Sequence, residues 1–186
     1  MSLSAPLLSL TVAEYLESEK SSPMRHEYLA GQVFGIGGTS ATHNLIAGNV
    51  FARLRAHLRG RPCRVFISDM KVRIEAVDFF YYPDVLVTRD PEDSEEYFKT
   101  RPCLIIEVAS PTTALIDKRE KLLAYQKLDS LREYVLIAQD EMKVQVYRRD
   151  QAGSWWLHTF GPEDQLCLES VDLEMTVAEV YEGVSL

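Results

Sequence analysis

The stretch 103–109 reads Cys-Leu-Ile-Ile-Glu-Val-Ala. Its apolar residues predict a central β-strand that is covered on both faces. Glu107 interrupts this apolar run. A buried carboxylate costs several kcal/mol unless it is paired or binds a metal ion. Glu107 therefore indicates either a structural ion pair or a functional site.

A second carboxylate opens the apolar segment that precedes this strand. Residues 81–88 read Tyr-Tyr-Pro-Asp-Val-Leu-Val-Thr and predict another strand, with Asp84 near its start. A Pro-Asp pair before a strand is often part of a turn or a cap, which is the structural interpretation of Asp84. The functional interpretation requires Asp84 to lie beside Glu107, and this holds only if the two strands are neighbours.

A lysine follows on a helix that is predicted from about Ile116 to Leu128, after a break at Pro111-Thr-Thr. Projected at about 100° per residue, Lys121 lies at the centre of the apolar arc of this helix. Lys121 could extend along the helix to reach water, as long side chains do, or it could pair with Glu107. Because the helix directly follows the strand of Glu107, we expect the ammonium to lie beside that carboxylate.

Two carboxylates and an ammonium, brought together, suit a divalent cation and a phosphate group. We expect Asp84, Glu107 and a backbone carbonyl near Val108 to bind Mg²⁺ or Mn²⁺, with waters completing the shell. The metal would polarise the scissile phosphate and lower the pKa of a bound water. Lys121 would orient that water or stabilise the charge that develops on the phosphate.

Length and composition favour a single domain over residues 1–186. The chain is 46% hydrophobic and 26% charged, which is ordinary for a globular protein with a substantial core. No apolar run approaches the roughly 20 residues that span a bilayer, and the N-terminus lacks the pattern of a secretory signal. Cys63, Cys103 and Cys167 form neither a zinc spacing nor a disulfide framework, which favours a reducing cytoplasm.

The remaining patterns interleave strands with helices and predict an α+β fold with a mixed sheet. Helices are expected at 9–19, at 42–59 and from Thr176 onward. Strands are expected in a hairpin over 28–34, over 64–75 with a bulge or a bend near Ser68-Asp69, and at 133–138, 143–148 and 155–160. The segment Gly35–Gly38 is interpreted as a plain turn and residues 90–100 as an acidic loop.

One segment concentrates positive charge in a chain whose net charge is −8. Arg53, Arg55 and Arg59 lie on the predicted helix 42–59, mostly away from its apolar face. A solvated face is the structural interpretation, and a patch that contacts phosphates is the functional one. The net charge argues against nucleic-acid binding through a broad positive field, so a local patch and a metal would have to bind DNA.

Several motifs are similar to those of one bacterial family. They are 82–87 (Tyr-Pro-Asp-Val-Leu-Val), 104–113 (Leu-Ile-Ile-Glu-Val-Ala-Ser-Pro-Thr-Thr), 117–125 (Asp-Lys-Arg-Glu-Lys-Leu-Leu-Ala-Tyr), 131–137 (Leu-Arg-Glu-Tyr-Val-Leu-Ile), 25–31 (Arg-His-Glu-Tyr-Leu-Ala-Gly) and 42–44 (Thr-His-Asn). In order and spacing, over nearly the whole chain, they resemble the Uma2 family of restriction-endonuclease-like proteins. The resemblance implies the PD-(D/E)XK nuclease fold, a mixed central sheet flanked by helices.

The resemblance also implies roles for single residues. Asp84 would be the motif aspartate and Glu107 the motif glutamate. Ala109 stands at the third motif position, where a lysine is usual. The family's lysine would instead stand on the following helix, at Lys121.

Three further residues have a functional and a structural interpretation. The resemblance makes Glu27 an accessory acidic residue and places His43 in the site. Without it, Glu27 is a surface residue beside a hairpin, and His43 is an ordinary residue at a helix N-terminus. Asp69 could approach the same site, although a structural role fits its position before a strand.

The leading hypothesis is a metal-dependent endonuclease that hydrolyses DNA phosphodiester bonds by direct attack of water. A homodimer is expected, because the resemblance is to nucleases that commonly pair to cut both strands. The alternative is a catalytically silent nuclease-fold module that binds nucleic acid or a protein partner through the same fold. A third hypothesis, hydrolysis of a small phosphoester, requires a closed pocket in place of an open groove.

Overall fold

The computed structural model of this chain describes residues 9–109 and 117–186. The predicted break at Pro111 and the predicted helix start at Ile116 lie outside these residues. The described helices are α1 (Val12–Ser21), α2 (Ala41–His57), α3 (Leu122–Tyr125) and α4 (Val177–Val180), with a π-helical turn at Asp117–Lys121 and 3₁₀ turns at Glu75–Val77 and Glu169–Val171. None of them is long and apolar enough to cross a membrane.

The strands of the described residues form three sheets. They are β1 (His26–Leu29), β2 (Gln32–Gly35), β3 (Arg64–Ile67), β4 (Lys71–Ile74), β5 (Phe79–Tyr81), β6 (Val85–Thr88), β7 (Phe98–Lys99), β8 (Pro102–Ala109), β9 (Glu133–Ala138), β10 (Val144–Arg149), β11 (Trp155–Phe160), β12 (Gln165–Leu168) and β13 (Leu173–Thr176). Together with the helices they confirm the predicted α+β class with mixed sheets.

The central sheet has six strands in the order β11-β10-β9-β8-β6-β3. Strand β8 is the predicted buried strand, and all eight of its residues are buried. It pairs antiparallel with β6 and parallel with β9. This pairing makes the strand of Glu107 a direct neighbour of the strand that follows Asp84.

A second sheet has five strands in the order β2-β1-β5-β4-β7. Residues 64–75 were predicted as one bent strand, but β3 and β4 belong to different sheets. Ser68 has a φ of 55°, so the chain turns sharply there and crosses from one sheet to the other. The switch of apolar phase near Ser68-Asp69, expected to be a bulge or a bend within one strand, is this crossing between two sheets. Residues 81–88 are likewise split, with β5 in one sheet and β6 in the other.

Two apolar cores cover the faces of the central sheet. Helix α2, the β12–β13 hairpin and α4 cover one face, where Leu104, Ile106 and Val108 point. The other face carries Ile105 and Ala109 and packs against the five-stranded sheet and α3. Glu107 alternates with Ile105 and Ala109, so its carboxylate lies on the face of α3.

Helix α2 has an N-terminal cap that positions its first turn. The hydroxyl of Ser40 accepts a hydrogen bond from the backbone N–H of His43 at 3.1 Å, which satisfies one of the free donors at a helix start. Ile46, Val50 and Leu54 are buried along one side of α2, as the predicted helix 42–59 requires. Cap and core together fix the first turn of α2 beside the central sheet.

Two local predictions were wrong. The helix predicted to reach Leu128 ends at Tyr125, and its first part is a π-helical turn in which i→i+5 hydrogen bonds replace the α-helical pattern. The projection at 100° per residue therefore does not apply to Asp117–Lys121. The hairpin of β12 and β13 was missed, although its two four-residue strands alternate more exposed with buried residues.

Candidate active site

The candidate site lies where β6, β8, β1, α2 and the turn Asp117–Lys121 meet. Val85 pairs with Ile106 in the antiparallel ladder of β6 and β8. Asp84, one residue before Val85, therefore lies level with the segment of β8 that follows Ile106. The two predicted carboxylates thus approach the same end of the sheet.

The Asp84 carboxylate accepts two hydrogen bonds. Its Oδ1 lies 2.8 Å from His43 Nε2, and its Oδ2 accepts the backbone N–H of Val108 at 2.7 Å. The Asp84 and His43 side chains are only 16% and 14% exposed. Asp84 is therefore neither a simple turn residue nor a free surface charge, and His43 is placed at the site by the first turn of α2.

The Glu107 carboxylate is buried in the face of β8 that carries α3. Its Oε1 accepts hydrogen bonds from Lys121 Nζ at 3.2 Å and from the Tyr125 hydroxyl at 2.7 Å. Tyr125 is fully buried, and the negative charge of Glu107 and burial both hold the pKa of its phenol well above the usual range. The phenol therefore stays protonated and donates to Glu107 across the physiological pH range.

Lys121 lies between two carboxylates. Its Nζ is 3.1 Å from Glu27 Oε1 on β1 and 3.2 Å from Glu107 Oε1 on β8. The ammonium also lies over the ring of Tyr81, 5.4 Å from its centroid. Its side chain is 11% exposed, so it does not extend along the helix to water.

The carbonyl of Val108 points toward Asp84. The N–H of Gln139, just after β9, donates to the Ala109 carbonyl at 3.1 Å, so the Ala109 carbonyl faces β9. Successive carbonyls of a strand point in opposite directions. The Val108 carbonyl therefore faces the side of β6, as its N–H does, and lies on the Asp84 side of β8.

These groups line one open cavity of about 420 Å³, which we call the site cavity. Asp84, Glu107, Lys121, Glu27 and His43 all contribute to its wall. The segment Gly35–Gly38, interpreted from sequence as a plain turn, supplies Ile36, Gly37 and Gly38 to the rim. The site cavity is therefore a polar cleft with one apolar and glycine-rich side.

Comparison with known proteins identifies the family. The model of the Uma2 family, described as "Putative restriction endonuclease", matches residues 12–178. The chain belongs to the Uma2 family. Two proteins of Synechocystis sp. (strain ATCC 27184 / PCC 6803 / Kazusa), both named as uncharacterized, are 34% and 32% identical to it. They cover 98% and 92% of this chain and 96% and 95% of their own lengths.

A solved structure shows the same fold. It is described as the crystal structure of "a putative nuclease belonging to DUF820" from Anabaena variabilis ATCC 29413. It matches with a TM-score of 0.73 at 20% identity, over 93% of this chain and 98% of that chain. The restriction-endonuclease-like fold predicted for this Uma2 protein is thereby confirmed.

The donor set of this Uma2 protein fits a hard divalent cation that keeps part of its water shell. Within residues 9–109 and 117–186, no three His, Cys, Asp or Glu side chains converge on one metal position. Mg²⁺, however, is usually bound through one or two carboxylates and keeps several waters. Asp84, Glu107 and the Val108 carbonyl provide such oxygen donors, and His43 and Lys121 now engage the two carboxylates.

The predicted basic patch lies apart from the site cavity of the Uma2 chain. Arg53 pairs with Glu179 at 3.2 Å and is thus partly neutralised. Arg55 and Arg59 border a separate cavity of about 350 Å³ at the other end of α2. Asp69 is 86% exposed and pairs with Arg25 at 3.3 Å, so it does not join the site.

Sequence reasoning missed several residues of the site. Tyr82 lines the site cavity and donates to Glu19 at 2.7 Å. Gln139 also lines it and accepts a hydrogen bond from Ser40 at 3.2 Å. A signal existed for Tyr125, which follows Lys121 by four residues, and for Tyr82, which stands two residues before Asp84. No pattern pointed to Gln139, since its place depends on the parallel pairing of β8 and β9.

Proposed function

We propose that this Uma2 protein is a metal-dependent endonuclease that hydrolyses DNA phosphodiester bonds at the site cavity. One observation supports this most strongly: Asp84, Glu107 and Lys121 converge on an open cleft from three separate elements. Burying charges in this way is costly and contributes little to stability. Such clusters of titratable groups in a cleft are typical of catalytic sites.

The residues divide the work of phosphodiester hydrolysis. Asp84, Glu107 and the Val108 carbonyl would hold Mg²⁺ or Mn²⁺, and the ion would supply Lewis-acid activation of the phosphate and of water. Lys121 stabilises the negative charge that develops on the phosphate oxygens as water attacks phosphorus and one sugar oxygen leaves. Glu27 is the second carboxylate on this ammonium, 3.1 Å away, and helps to keep it at the cleft.

His43 adds a second polar group beside the metal ligands. Its Nε2 contacts Asp84 Oδ1, and its ring is held by the capped first turn of α2. With Asp84 holding a cation, the His43 imidazole would be available to donate to a phosphate oxygen. His43 therefore has a binding role in the proposal.

The two free arginines provide a distant anchor for the DNA backbone. Neither Arg55 nor Arg59 forms an ion pair within the described residues. Along α2, Arg55 lies about 18 Å from His43, at 1.5 Å per residue. Phosphates that track along α2 would thus meet positive charge at its far end, although the net charge of the chain is −8.

The proposal includes a homodimer in the cytoplasm. Two active sites are needed to cut both strands of a duplex at one position, and a pair of copies provides them. The three cysteines are all free thiols, as a reducing compartment requires. Light scattering of the purified protein tests the dimer separately from activity.

The test is a cleavage assay on supercoiled, linear and single-stranded DNA in Mn²⁺, in Mg²⁺ and in EDTA. We expect cutting by the wild type only with metal, and a loss of at least about a hundredfold in Asp84→Asn. Asp69→Asn is the matched control, because it neutralises an exposed aspartate outside the site cavity. If a folded wild type cuts none of these substrates, the catalytically silent binding module is favoured instead. Ala109, which stands where a lysine is usual, is an argument for that alternative.

A further inference from the structure

One face of the β1–β2 hairpin is turned toward the site cavity. Glu27 lies directly opposite Phe34 in this antiparallel pair, and directly opposed residues project from the same face of a sheet. Glu27 points at the site, since its Oε1 lies 3.1 Å from Lys121 Nζ. Phe34 therefore lies on the cavity side of the hairpin, one strand further out.

Ile36 identifies the same face independently. Its N–H donates to the carbonyl of Arg25 at 2.8 Å, which extends the ladder beyond the last pair of β1 and β2. Ile36 lines the site cavity, and residues two apart along a strand share a face. Ile36 thus lines the site cavity, and Phe34, which pairs with Glu27, extends the same face of the hairpin as an apolar rim just outside the cavity.

Phe34 is a large apolar side chain that remains exposed to solvent in the folded protein. It is 47% exposed, on an edge strand whose four residues are all exposed. Leu29, on the same face of the neighbouring strand, instead packs against the core beside α3. An exposed aromatic ring beside a cluster of charges suits a ligand that has both an anionic part and a flat aromatic part.

We propose that Phe34 stacks on an unpaired nucleobase next to the scissile phosphate, and that it directs the enzyme to DNA with unpaired bases. This inference rests on the proposed nuclease function. A nucleotide has the required two parts, with its phosphate at Lys121 and its base at the rim. Aromatic rings stack on any base, so the contact selects for strand state and not for sequence.

The strand preference follows from base stacking in DNA. Each base of an intact duplex already stacks on both neighbours, so no face is open to Phe34. A single strand, a flap or a mismatch offers an open face without the cost of unstacking, which is a few kcal/mol for a paired base. Phe34 therefore favours single-stranded and distorted DNA over a regular duplex.

The test uses an oligonucleotide with the fluorescent base 2-aminopurine, as a single strand and as a duplex. Binding is measured in EDTA and cleavage in Mn²⁺, for the wild type, Phe34→Leu and Phe34→Trp. Phe34→Leu keeps an apolar side chain but removes the ring, and we expect about tenfold weaker single-strand binding and slower single-strand cleavage. Duplex binding should change less than about twofold, and Phe34→Trp should retain the affinity of the wild type.

Trp156→Leu is the matched control. Trp156 is 60% exposed on β11, the outer strand of the other sheet, and its replacement should leave binding unchanged. If the wild type cuts DNA and Phe34→Leu cuts the single strand and the duplex each as fast as the wild type does, the stacking role is wrong and the nuclease function stands. If the wild type binds but never cuts, while Phe34→Leu loses single-strand binding, the stacking role stands and the nuclease function is wrong. A wild type that neither binds nor cuts overturns both.

Discussion

Two buried glutamates on neighbouring strands have different surroundings in this protein. Glu107 on β8 is 5% exposed and lines the site cavity. Glu133 on β9 is fully buried and accepts hydrogen bonds from Arg148 Nε at 2.9 Å and from the backbone N–H groups of Glu169 and Ser170 at 3.2 and 2.7 Å. The first carboxylate opens onto a cleft, whereas the second is enclosed by the chain.

The partners of the two carboxylates explain the difference. Arg148 presents a planar guanidinium that also bonds to Glu169 and to the Cys167 carbonyl, so Glu133 ties the 3₁₀ turn Glu169–Val171 to the sheet. Lys121 presents a compact ammonium on a flexible stem, which can exchange one oxygen partner for another. We propose that Glu133, enclosed by Arg148 and backbone N–H groups, serves stability, and that Glu107, held by Lys121 at a cleft, serves chemistry.

Replacement of the lysine should produce the largest effect on activity. Lys121→Ala is expected to slow cleavage by about 10²–10³-fold, because it removes the ammonium that would face the phosphate. Lys127→Ala, two turns along and exposed, is the matched control and should cleave like the wild type. Initial rates of plasmid nicking in Mn²⁺ measure both variants. Equal rates for Lys121→Ala and the wild type would show that the Lys121–Glu107 pair is structural, as Glu133–Arg148 is.

Replacement of the two glutamates should separate their effects on stability. Glu133→Gln leaves Arg148 without its buried carboxylate and should lower the free energy of unfolding by about 3 kcal/mol, the lower end of the range because Glu169 still pairs with Arg148. Glu107→Gln should cost less than about half of that, since Lys121 keeps Glu27 as its partner. Urea unfolding followed by circular dichroism gives both values. The opposite order of the two losses would refute the distinction between the sites.

A divalent cation should distinguish the two sites by mass action. Mn²⁺ at about 100 times its Kd should raise the free energy of unfolding by about 2.7 kcal/mol in the wild type. The same increase is expected in Glu133→Gln and not in Glu107→Gln. Thermal unfolding at increasing Mn²⁺ concentrations measures it. An equal increase in all three proteins would place the cation elsewhere on the chain.

The phenol that holds Glu107 should make stability depend on alkaline pH. Burial and the charge of Glu107 raise the pKa of Tyr125, so the folded protein keeps a proton that the unfolded chain loses near pH 10. A raised folded-state pKa stabilises the protein below the unfolded pKa, and this stability is lost as the pH rises above it. Between pH 8 and pH 10.5 the wild type should lose about 0.8 kcal/mol more than Tyr125→Phe. Urea unfolding at the two pH values tests this, and equal losses would contradict the buried Tyr125–Glu107 bond.

The sequence predicted the parts of the fold that depend on local patterns. The apolar run of β8, the regular apolar spacing along α2 and the single Glu107 within the apolar run are all visible in the order of the residues. The turn Ala30–Gly31 of the β1–β2 hairpin was also predicted, and both residues have the positive φ that such a turn requires, 48° and 94°.

The sequence alone did not show which strands pair when they lie far apart along the chain. No local signal shows that β3 and β4 separate into different sheets, or that Glu133 is buried by a turn 36 residues later. For the same reason the convergence of Asp84 and Glu107 remained conditional until the antiparallel pairing of β6 and β8 was known. A residue that joins a site only through such pairing, like Gln139, has no sequence pattern of its own.

The most direct measurement compares plasmid cleavage in Mn²⁺ by the wild type, Glu107→Gln and Glu133→Gln. It is made at a temperature at which circular dichroism shows all three to be folded. Glu107→Gln should cut at least about a hundredfold more slowly than the wild type, and Glu133→Gln should cut within about twofold of it. Equal rates in the two variants, whether both fast or both slow, would contradict the assignment of chemistry to one glutamate and of stability to the other.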